Sequence, residues 1–464
     1  MAGMQSAAPS GSDYDIVILG GGSGGYACAL RAVQLGQRVA MVEKDKLGGT
    51  CLHRGCIPTK ALLHVAEVAD SAREGASIGV RSTVESIDMA QVRAYQDKVV
   101  SRLHKGLQGL VKSGGIDYVE GEGRLTDAHT VTVGDRELRG RQVVLATGSY
   151  ARSLPGLDIG GRVMTSDQAL WLDEVPTSAI VLGGGVIGVE FASALRSFGA
   201  EVTVVEAMDR LLAAEEPASS KALERAFRKR GITTRTGVKF DSVTQDDSSV
   251  TVTLEGGEQL GADLLLVAVG RGPVTEGLGY EEAGVELDRG FVVTDERLRT
   301  RAEGVYAVGD IVPGLQLAHR GFAQGIFVAE DIAGLEPTPL EEDALPRVTY
   351  CHPEVASVGL TEEKAREKFG EVTAYEYNLG GNGKSQILGS TGFVKLVRVV
   401  DGPVVGVHLV GARVGELMGE AQLIYAWEAT PEDVAGHVHA HPTINEALGE
   451  AHLALAGKPL HAHA

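Results

Sequence analysis

Two apolar runs in the first half of the chain are each followed by a glycine-rich turn, a helical stretch and a second apolar run. The first copy begins with Tyr14–Leu19, and the second begins with Ala179–Leu182. Short runs without polar interruption predict buried parallel strands. Strand, turn, helix and strand in this order predict an α/β fold.

A carboxylate ends both copies at the same distance from the first glycine. These residues are Glu43, which follows Gly20, and Glu206, which follows Gly183. The glycines permit a tight turn and close approach of a pyrophosphate, and the carboxylate can bind ribose hydroxyls. A single loop of this kind is weak evidence, but two at equal spacing predict two Rossmann-like dinucleotide-binding domains. The remaining glycines of the motif are Gly22 and Gly25 in the first copy and Gly185 and Gly188 in the second.

The rest of the chain shows further periodic segments. Apolar residues at three- and four-residue steps predict an amphipathic helix over 85–112. Apolar runs that end in glycine predict further strands at 143–148, 264–270 and 305–310, and open α/β sheets bind ligands at such strand ends. A proline-containing acidic stretch at 334–346 predicts a linker before a separate α+β domain.

Composition limits the possible partners and compartments. The 464 residues carry a net charge of −19, from 43 basic and 62 acidic residues. Such a surface repels phosphate backbones, which disfavours nucleic acid, but it suits a basic protein partner. Four cysteines are too few for a disulfide-rich secreted protein. The start lacks the features of a signal peptide and no apolar run is long enough to span a membrane, so we expect a cytoplasmic protein.

Cys51 and Cys56 lie shortly after the first glycine loop. In an ideal helix their Cα atoms would be about 8–9 Å apart, whereas a disulfide needs roughly 7 Å or less. Pairing would therefore require a distorted helix start, for which Gly55 supplies the backbone freedom. From the spacing alone, a redox pair and two ordinary buried cysteines remain equally open.

A histidine-rich segment, from His437 to Glu446, allows three interpretations. Alternate histidines could bind a metal, although no further cluster of ligands is evident. Thr443 and Glu446 match a capping box, which is a purely structural helix start. Alternatively, Glu446 orients His441 as a general base. The spacing does not separate the last two.

Taken together, these residues resemble the pyridine nucleotide–disulfide oxidoreductases, and within them the branch that oxidises dihydrolipoamide. The likeness covers nearly the whole chain after residue 12. It is carried by the two glycine loops and by the segments 48–60, 146–149, 308–310, 353–359 and 441–446.

The resemblance implies a site for FAD and a site for NAD. Glu43 would bind the flavin nucleotide's ribose, Lys60 would lie near the reactive ring, and Asp310 would bind the ribityl chain. Glu190 would pair with Lys60, and Glu206 would favour NAD over NADP, although the nearby Arg210 is a cation in the same region. The other implied contacts are Thr50, Gly123, Thr147, Gly148, Ser149 and Ala318 for FAD, and Val238 and Gly270 for NAD.

The resemblance also implies a mechanism and partners. A dihydrolipoamide thiolate would attack Cys51, His441 with Glu446 would take the proton, and Cys56 would face the flavin. Because His441 acts on the partner's site in this family, a homodimer is implied, with no metal. The substrate would be free dihydrolipoamide or a lipoyl domain, and a basic E2-type subunit of a 2-oxoacid dehydrogenase complex would be a further partner.

Two alternatives and one departure remain open. A flavin-dependent transhydrogenase would not need both cysteines, and a docking role in a lipoyl-bearing complex is compatible with catalysis. The mercuric reductase and thioredoxin reductase branches are disfavoured, because no cysteine pair ends this chain. His53 and Arg54, between the cysteines, either lower a thiol pKa or only face solvent. Beyond Ala318 and His319, the stretch up to Gln324 lacks the acidic pattern of the family.

The expected domain order follows. We predict a disordered leader at 1–12, an FAD-binding domain at 13–150 and an NAD-binding domain at 151–272. A central domain at 273–345 would complete the FAD site, and 346–464 would form the C-terminal α+β dimerisation domain.

Overall fold

The computed structural model describes residues 13–462, so the predicted leader at 1–12 lies outside the described residues. Up to residue 151 the elements are β1 (Tyr14–Leu19), α1 (Ser23–Gln34), β2 (Val39–Glu43), α2 (Gly49–Arg54), α3 (Cys56–Glu74), α4 (Met89–Ser113), β3 (Asp117–Glu120), β4 (Gly123–Asp127), β5 (Thr130–Val133), β6 (Arg136–Leu145) and β7 (Ser149–Ala151). From 163 to 267 they are β8 (Val163–Thr165), α5 (Ser166–Ala169), β9 (Ser178–Leu182), α6 (Val186–Phe198), β10 (Glu201–Glu206), α7 (Pro217–Lys229), β11 (Ile232–Thr236), β12 (Phe240–Gln245), β13 (Val250–Leu254), β14 (Gln259–Ala262) and β15 (Leu264–Val267).

The second half continues the same series. From 271 to 332 the elements are β16 (Arg271–Pro273), β17 (Leu287–Asp288), β18 (Phe291–Val292), β19 (Val305–Ala307) and α8 (Ala318–Ile332). The C-terminal part contains β20 (Arg347–Thr349), β21 (Glu354–Gly359), α9 (Glu362–Phe369), β22 (Val372–Asn378), α10 (Gly383–Ile387), β23 (Phe393–Val399), β24 (Val404–Gly411), α11 (Met418–Ala426), α12 (Pro431–Ala435) and α13 (Glu446–Leu455).

The chain divides into two compact units. The first contains the residues up to Ala61, Ala90–Arg152 and Arg271–Glu342, and the second contains Leu62–Met89, Ser153–Gly270 and the residues from Asp343 onward. Each unit is described by itself below.

A sheet with a parallel centre organises the first unit. Its strand order is β3-β2-β1-β6-β5-β4, and β19 joins it by pairing with β6. Strands β1, β2, β3, β6 and β19 run parallel, while β4, β5 and β6 form an antiparallel meander. Both faces of β1 are buried, with Ile16 and Ile18 packed on one side and Val17 and Leu19 on the other. This explains why β1 is a continuous apolar run.

The second unit repeats the parallel arrangement and adds an antiparallel sheet. Strands β11-β10-β9-β15-β8 form one sheet in which every pairing is parallel. Strands β20-β21-β24-β23-β22 form the C-terminal sheet, and helices α11 and α13 pack their apolar residues against it. Two parallel sheets of this order and a C-terminal α+β part confirm the predicted fold class.

Two segments differ in detail from the predictions. The amphipathic helix begins at Met89 rather than at 85, and the predicted linker at 334–346 contains a single short 3-10 turn at Glu342–Ala344. Within the described range, no helix combines the length and the apolar character needed to cross a membrane.

Candidate active site

The two cysteines lie on either side of a break between helices. Helix α2 ends at Arg54, α3 begins at Cys56, and Gly55 between them has φ −140° and ψ −116°. A Cβ atom on Gly55 would lie 3.0 Å from the carbonyl oxygen of Thr50 and 3.3 Å from the Cα atom of Cys51. The helix is therefore distorted where the sequence predicted, and the absence of a side chain at Gly55 permits it.

Both cysteines are free thiols that contact each other. Cys51 and Cys56 are each half-buried. Their mutual hydrogen bond and burial raise the pKa of the Cys51 thiol, and the nearby cation of Lys60 acts in the opposite direction. Two adjacent thiols with one cation beside them form a dithiol that can be oxidised to a disulfide.

The charged residues between the cysteines have other partners. Arg54 forms an ion pair of 2.7 Å with Asp45. The Nε2 atom of His53 lies 2.9 Å from the carbonyl oxygen of Leu47, and its ring packs edge-to-face on His104 with the ring centroids 4.8 Å apart. Among the main influences on the Cys51 pKa, the cation is Lys60. The structure therefore favours the alternative in which these two residues are not thiol activators.

An apolar groove in the first unit lies next to the thiols. Burial raises the pKa of Tyr26 to about 12, and the two thiols add to that shift, which places the phenol beside the pair. Its ring packs on Phe322 with the centroids 5.5 Å apart. Together with Leu30 and Ile326, these rings line a groove of about 350 Å³. An aliphatic chain would fit this lining better than a charged one.

The first glycine loop closes tightly around backbone atoms. A side chain on Gly20, whose φ is +112°, would collide with the carbonyl group of Ala146, and one on Gly25 would collide with the carbonyl oxygen of Gly20. Gly22 differs, because its nearest neighbour would be 4.0 Å away. It precedes α1 without any side-chain cap. The loop therefore leaves open space at a helix N-terminus, which is the environment that a pyrophosphate needs.

The carboxylate of Glu43 is held in place by two backbone groups. Gly21 N–H donates to one oxygen at 2.7 Å, and Asp45 N–H donates to the other at 2.9 Å. This arrangement fixes the carboxylate at the edge of the open space next to Gly22.

Other candidate flavin contacts lie at the strand ends of the same unit. Ser149 donates a hydrogen bond to Asp310, and the Arg271 side chain binds Ser149 through both its hydroxyl and its carbonyl oxygen, at 2.8 Å each. Thr147 donates to the carbonyl oxygen of Val274 at 2.6 Å. The remaining candidates in this unit are Thr50 within α2, Lys60 within α3, Gly123 at the start of β4, Gly148 with φ +76°, and Ala318 at the start of α8.

The segment that departs from the family pattern has its own partners. The buried Arg320 pairs with Glu342 at 2.7 Å and also donates to the carbonyl oxygen of Pro313 at 2.5 Å. Gln324, also buried, accepts a hydrogen bond of 2.7 Å from the backbone N–H of Gly309. These contacts fix the turn that carries Asp310 without the acidic residues of the family.

The second glycine loop repeats the geometry of the first. A side chain on Gly183, with φ +113°, would collide with the carbonyl group of Ala268, and one on Gly188 would collide with the carbonyl oxygen of Gly183. Gly185 has no neighbour within 4 Å and precedes α6 without a side-chain cap. The open space is therefore again at the middle glycine.

Glu206 matches Glu43 in both of its contacts. Gly184 N–H donates to one oxygen at 2.6 Å, and Met208 N–H donates to the other at 2.7 Å. The nearby Arg210 donates to the carbonyl oxygen of Ala213 at 2.9 Å. The carboxylate is therefore positioned for ribose hydroxyls, and the neighbouring cation is partly engaged.

The last candidate nucleotide contacts lie around the same sheet. Glu190 in α6 is 2% exposed and accepts a hydrogen bond of 2.9 Å from the backbone N–H of Tyr350. Val238 follows β11 and donates its N–H to the carbonyl oxygen of Glu206 at 3.1 Å. Gly270 follows β15 with φ +110°.

The histidine segment combines two of the interpretations that the sequence left open. His441 Nδ1 lies 2.8 Å from one carboxylate oxygen of Glu446, and Thr443 N–H donates to the other oxygen at 2.8 Å. Glu446 N–H donates back to the Thr443 hydroxyl at 3.3 Å. The same glutamate therefore orients the imidazole and completes the reciprocal contacts of a capping box. The side chain of His441 is 78% exposed.

A second histidine–carboxylate pair lies beside the first and was not predicted. His439 Nε2 lies 2.8 Å from Glu420, and this hydrogen bond raises the pKa of His439. Glu420 lies on α11, far from the motif in sequence, and nothing in the local pattern marks it. Over residues 13–462, no group of three metal-binding side chains is arranged to hold a metal ion.

Comparison with known proteins places these features in a family. The model described as "Pyridine nucleotide-disulphide oxidoreductase" matches residues 14–325, and the model for the dimerisation domain of these proteins matches 345–452. A dihydrolipoyl dehydrogenase of Bacillus subtilis is 42% identical, over 97% of this chain and 99% of that protein. A mitochondrial dihydrolipoyl dehydrogenase of Pisum sativum is 38% identical, over 97% and 93%. Among solved structures, LpdA from Mycobacterium tuberculosis superposes with a TM-score of 0.89 at 28% identity, over 95% of this chain and 99% of that one.

Proposed function

The chain belongs to the pyridine nucleotide-disulphide oxidoreductase family, and on that basis we propose that it oxidises dihydrolipoamide to lipoamide and reduces NAD⁺ to NADH. FAD is the resident cofactor, and Cys51 and Cys56 form the redox pair. The observation that carries this proposal is the contact between two half-buried thiols at the break between α2 and α3, in the same unit as a built nucleotide loop.

The dithiol chemistry balances between substrate and cysteines. Starting from a Cys51–Cys56 disulfide, a substrate thiolate attacks Cys51, and Cys56 leaves as a thiolate. The second substrate thiolate then attacks the substrate sulfur bound to Cys51, so that the substrate leaves as a disulfide and two electrons remain on the cysteines. The structure shows this reduced, dithiol state.

The first unit fits FAD by the shape of its loop. Gly20, Gly22 and Gly25 leave space for a pyrophosphate at the start of α1, and Glu43 stands ready for ribose hydroxyls. When bound, FAD would take the two electrons from the cysteine dithiol and pass them to NAD⁺ as a hydride. The other proposed contacts are Thr50, Lys60, Gly123, Thr147, Gly148, Ser149, Asp310 and Ala318.

The second unit fits NAD by the same criteria. The N-terminus of α6 is open at Gly185, and Glu206 is oriented by two backbone N–H groups. A carboxylate there favours the 2′-hydroxyl of NAD over the 2′-phosphate of NADP. The other proposed contacts are Gly183, Gly188, Glu190, Val238 and Gly270.

The general base is His441, held by Glu446. Since Nδ1–H donates to the carboxylate, Nε2 is the atom that accepts the substrate's thiol proton. The exposed imidazole and the dimerisation domain support a homodimer in which the partner subunit's His441 serves the thiol pair.

The apolar groove gives the dithiol a place to lie. Tyr26, Leu30, Phe322 and Ile326 form its lining next to the thiols. We propose that it receives the aliphatic part of the substrate, either free or carried on a lipoyl domain.

The surroundings of the enzyme are a further part of this proposal. The net charge of −19 suits a basic E2-type subunit of a 2-oxoacid dehydrogenase complex, and we place the enzyme in the cytoplasm. The four-domain division with bounds at 150, 272 and 345 also remains a proposal.

The central test replaces one thiol. Cys51→Ser is expected to abolish NAD⁺-dependent oxidation of dihydrolipoamide while the purified protein keeps its yellow flavin absorbance. Cys28→Ala, which changes a buried thiol outside the pair, is the matched control and is expected to keep the activity. Full activity in the Cys51→Ser protein would refute the disulfide mechanism.

A further inference from the structure

The base His441 lies on a loop with little support of its own. Residues 436–445 form no helix or strand, and His437, Val438, Ala440 and Pro442 are exposed. A catalytic group must be held to within a fraction of an ångström, and a misplacement of about 1 Å can cost a factor of about 100 in rate. Something outside the loop must therefore hold it.

A single carboxylate on α11 binds the loop on both sides of the base. One oxygen of Glu420 lies 2.8 Å from His439 Nε2, two residues before His441. Its other oxygen accepts a hydrogen bond of 2.5 Å from the side chain of Asn445, which immediately precedes Glu446. The base and its carboxylate partner thus lie between two contacts made by one side chain.

The surroundings of His439 make this contact a firm one. A Cβ atom on Gly449 would lie 2.5 Å from His439 Nδ1, so the ring packs directly on the backbone of α13. Burial lowers the pKa of the neighbouring His452 to about 4. Because His452 is then neutral at pH 7, it does not compete with His439 as a cationic partner for Glu420.

We propose that Glu420 is a positioning residue for the general base, acting through His439 and Asn445 to hold the loop that carries His441. This proposal rests on the proposed function, because it assigns His441 its role as the base. It adds a second histidine–carboxylate pair whose task is geometric, and it gives His439 a purpose other than proton transfer or metal binding.

The test separates positioning from folding. Glu420→Ala is expected to lower kcat for dihydrolipoamide oxidation about tenfold or more, with a much smaller change in KM. The oxidation of NADH by ferricyanide, which needs no thiol base, is expected to stay within about twofold. Gln422→Ala, an exposed change on the same helix, is the matched control and is expected to behave as the unmodified enzyme.

A conservative variant and a double variant add a rescue and a coupling test. Glu420→Gln can still accept from Asn445 and donate to a neutral His439, so it is expected to recover most of the lost kcat. If the clamp acts as one unit, adding Asn445→Ala to Glu420→Ala should cost little more. Should Glu420→Ala fold poorly, Asn445→Ala alone removes one arm and is expected to lower kcat by a smaller factor.

The outcomes distinguish the two proposals. Unchanged dithiol kinetics in both Glu420→Ala and Asn445→Ala would overturn the positioning role, and so would equal losses in the dithiol and ferricyanide reactions. If His441→Gln itself left dihydrolipoamide oxidation intact, the proposed function would fail at its base.

Discussion

Two glycines of the second nucleotide loop should respond to alanine in opposite ways. Gly185 has φ −77° and extended ψ, and no atom lies within 4 Å of the position that its Cβ would take. Gly188, three residues later, would place its Cβ well inside 3.0 Å of the carbonyl oxygen of Gly183. The same substitution therefore meets open space at one position and backbone at the other.

The contacts set the expected magnitudes. Gly185→Ala should change the free energy of unfolding by less than about 0.5 kcal/mol, since its conformation suits alanine and nothing is displaced. It should raise the KM for NAD⁺ about tenfold to a hundredfold, because a methyl group would occupy the approach of the phosphates, and hydrogen bonds to charged groups contribute about 1.5–3 kcal/mol each. Gly188→Ala should cost about 1–3 kcal/mol of stability, because helix and loop must separate by roughly an ångström.

Two measurements together decide the matter. Thermal unfolding should show Gly188→Ala, but not Gly185→Ala, with a lowered midpoint, at about 2–4 °C per kcal/mol. Steady-state kinetics should show the raised KM for NAD⁺ in Gly185→Ala, while anaerobic reduction of the flavin by dihydrolipoamide keeps its rate. An unchanged KM in Gly185→Ala would refute the assignment of this loop to the phosphates, and an equally destabilised Gly185→Ala would refute the steric argument.

Two further predictions concern substrate choice. Glu206→Ala should raise the KM for NAD⁺ about tenfold and leave that for NADP⁺ unchanged or lower, since the carboxylate recognises only the free 2′-hydroxyl; equal changes for both nucleotides in initial-rate assays would contradict this role. Phe322→Asp should raise the KM for dihydrolipoamide about tenfold by placing a charge in the apolar groove. Leu335→Asp, at an exposed position outside the groove, should leave it unchanged, and identical kinetics of the two variants would argue against the groove.

The elements that the sequence predicted well are those whose causes are local. Strand β1 begins and ends at the predicted residues, because burial on both faces requires an unbroken apolar run. The helix break at Gly55 could also be predicted, since the geometry of a five-residue spacing does not depend on the rest of the fold.

The features that escaped prediction depend on contacts between distant segments. Glu420 reaches His439 from another helix, and Tyr26 meets Phe322 across nearly three hundred residues of chain. The two interpretations of Glu446 could not be separated for a different reason, namely that a carboxylate has two oxygens and this one uses both.

The near-identity of the two glycine loops has a consequence for how long each nucleotide remains bound. FAD must stay through many turnovers, whereas NADH must depart in each one. Because the two loops and the glutamates Glu43 and Glu206 make the same contacts, they cannot be the source of this difference in residence time. The first unit alone adds β19 beside β6, followed by the turn with Asp310 and by α8 packed on α1. Slow release would then be a property of this added layer, and its loosening would turn the resident cofactor into an exchangeable one.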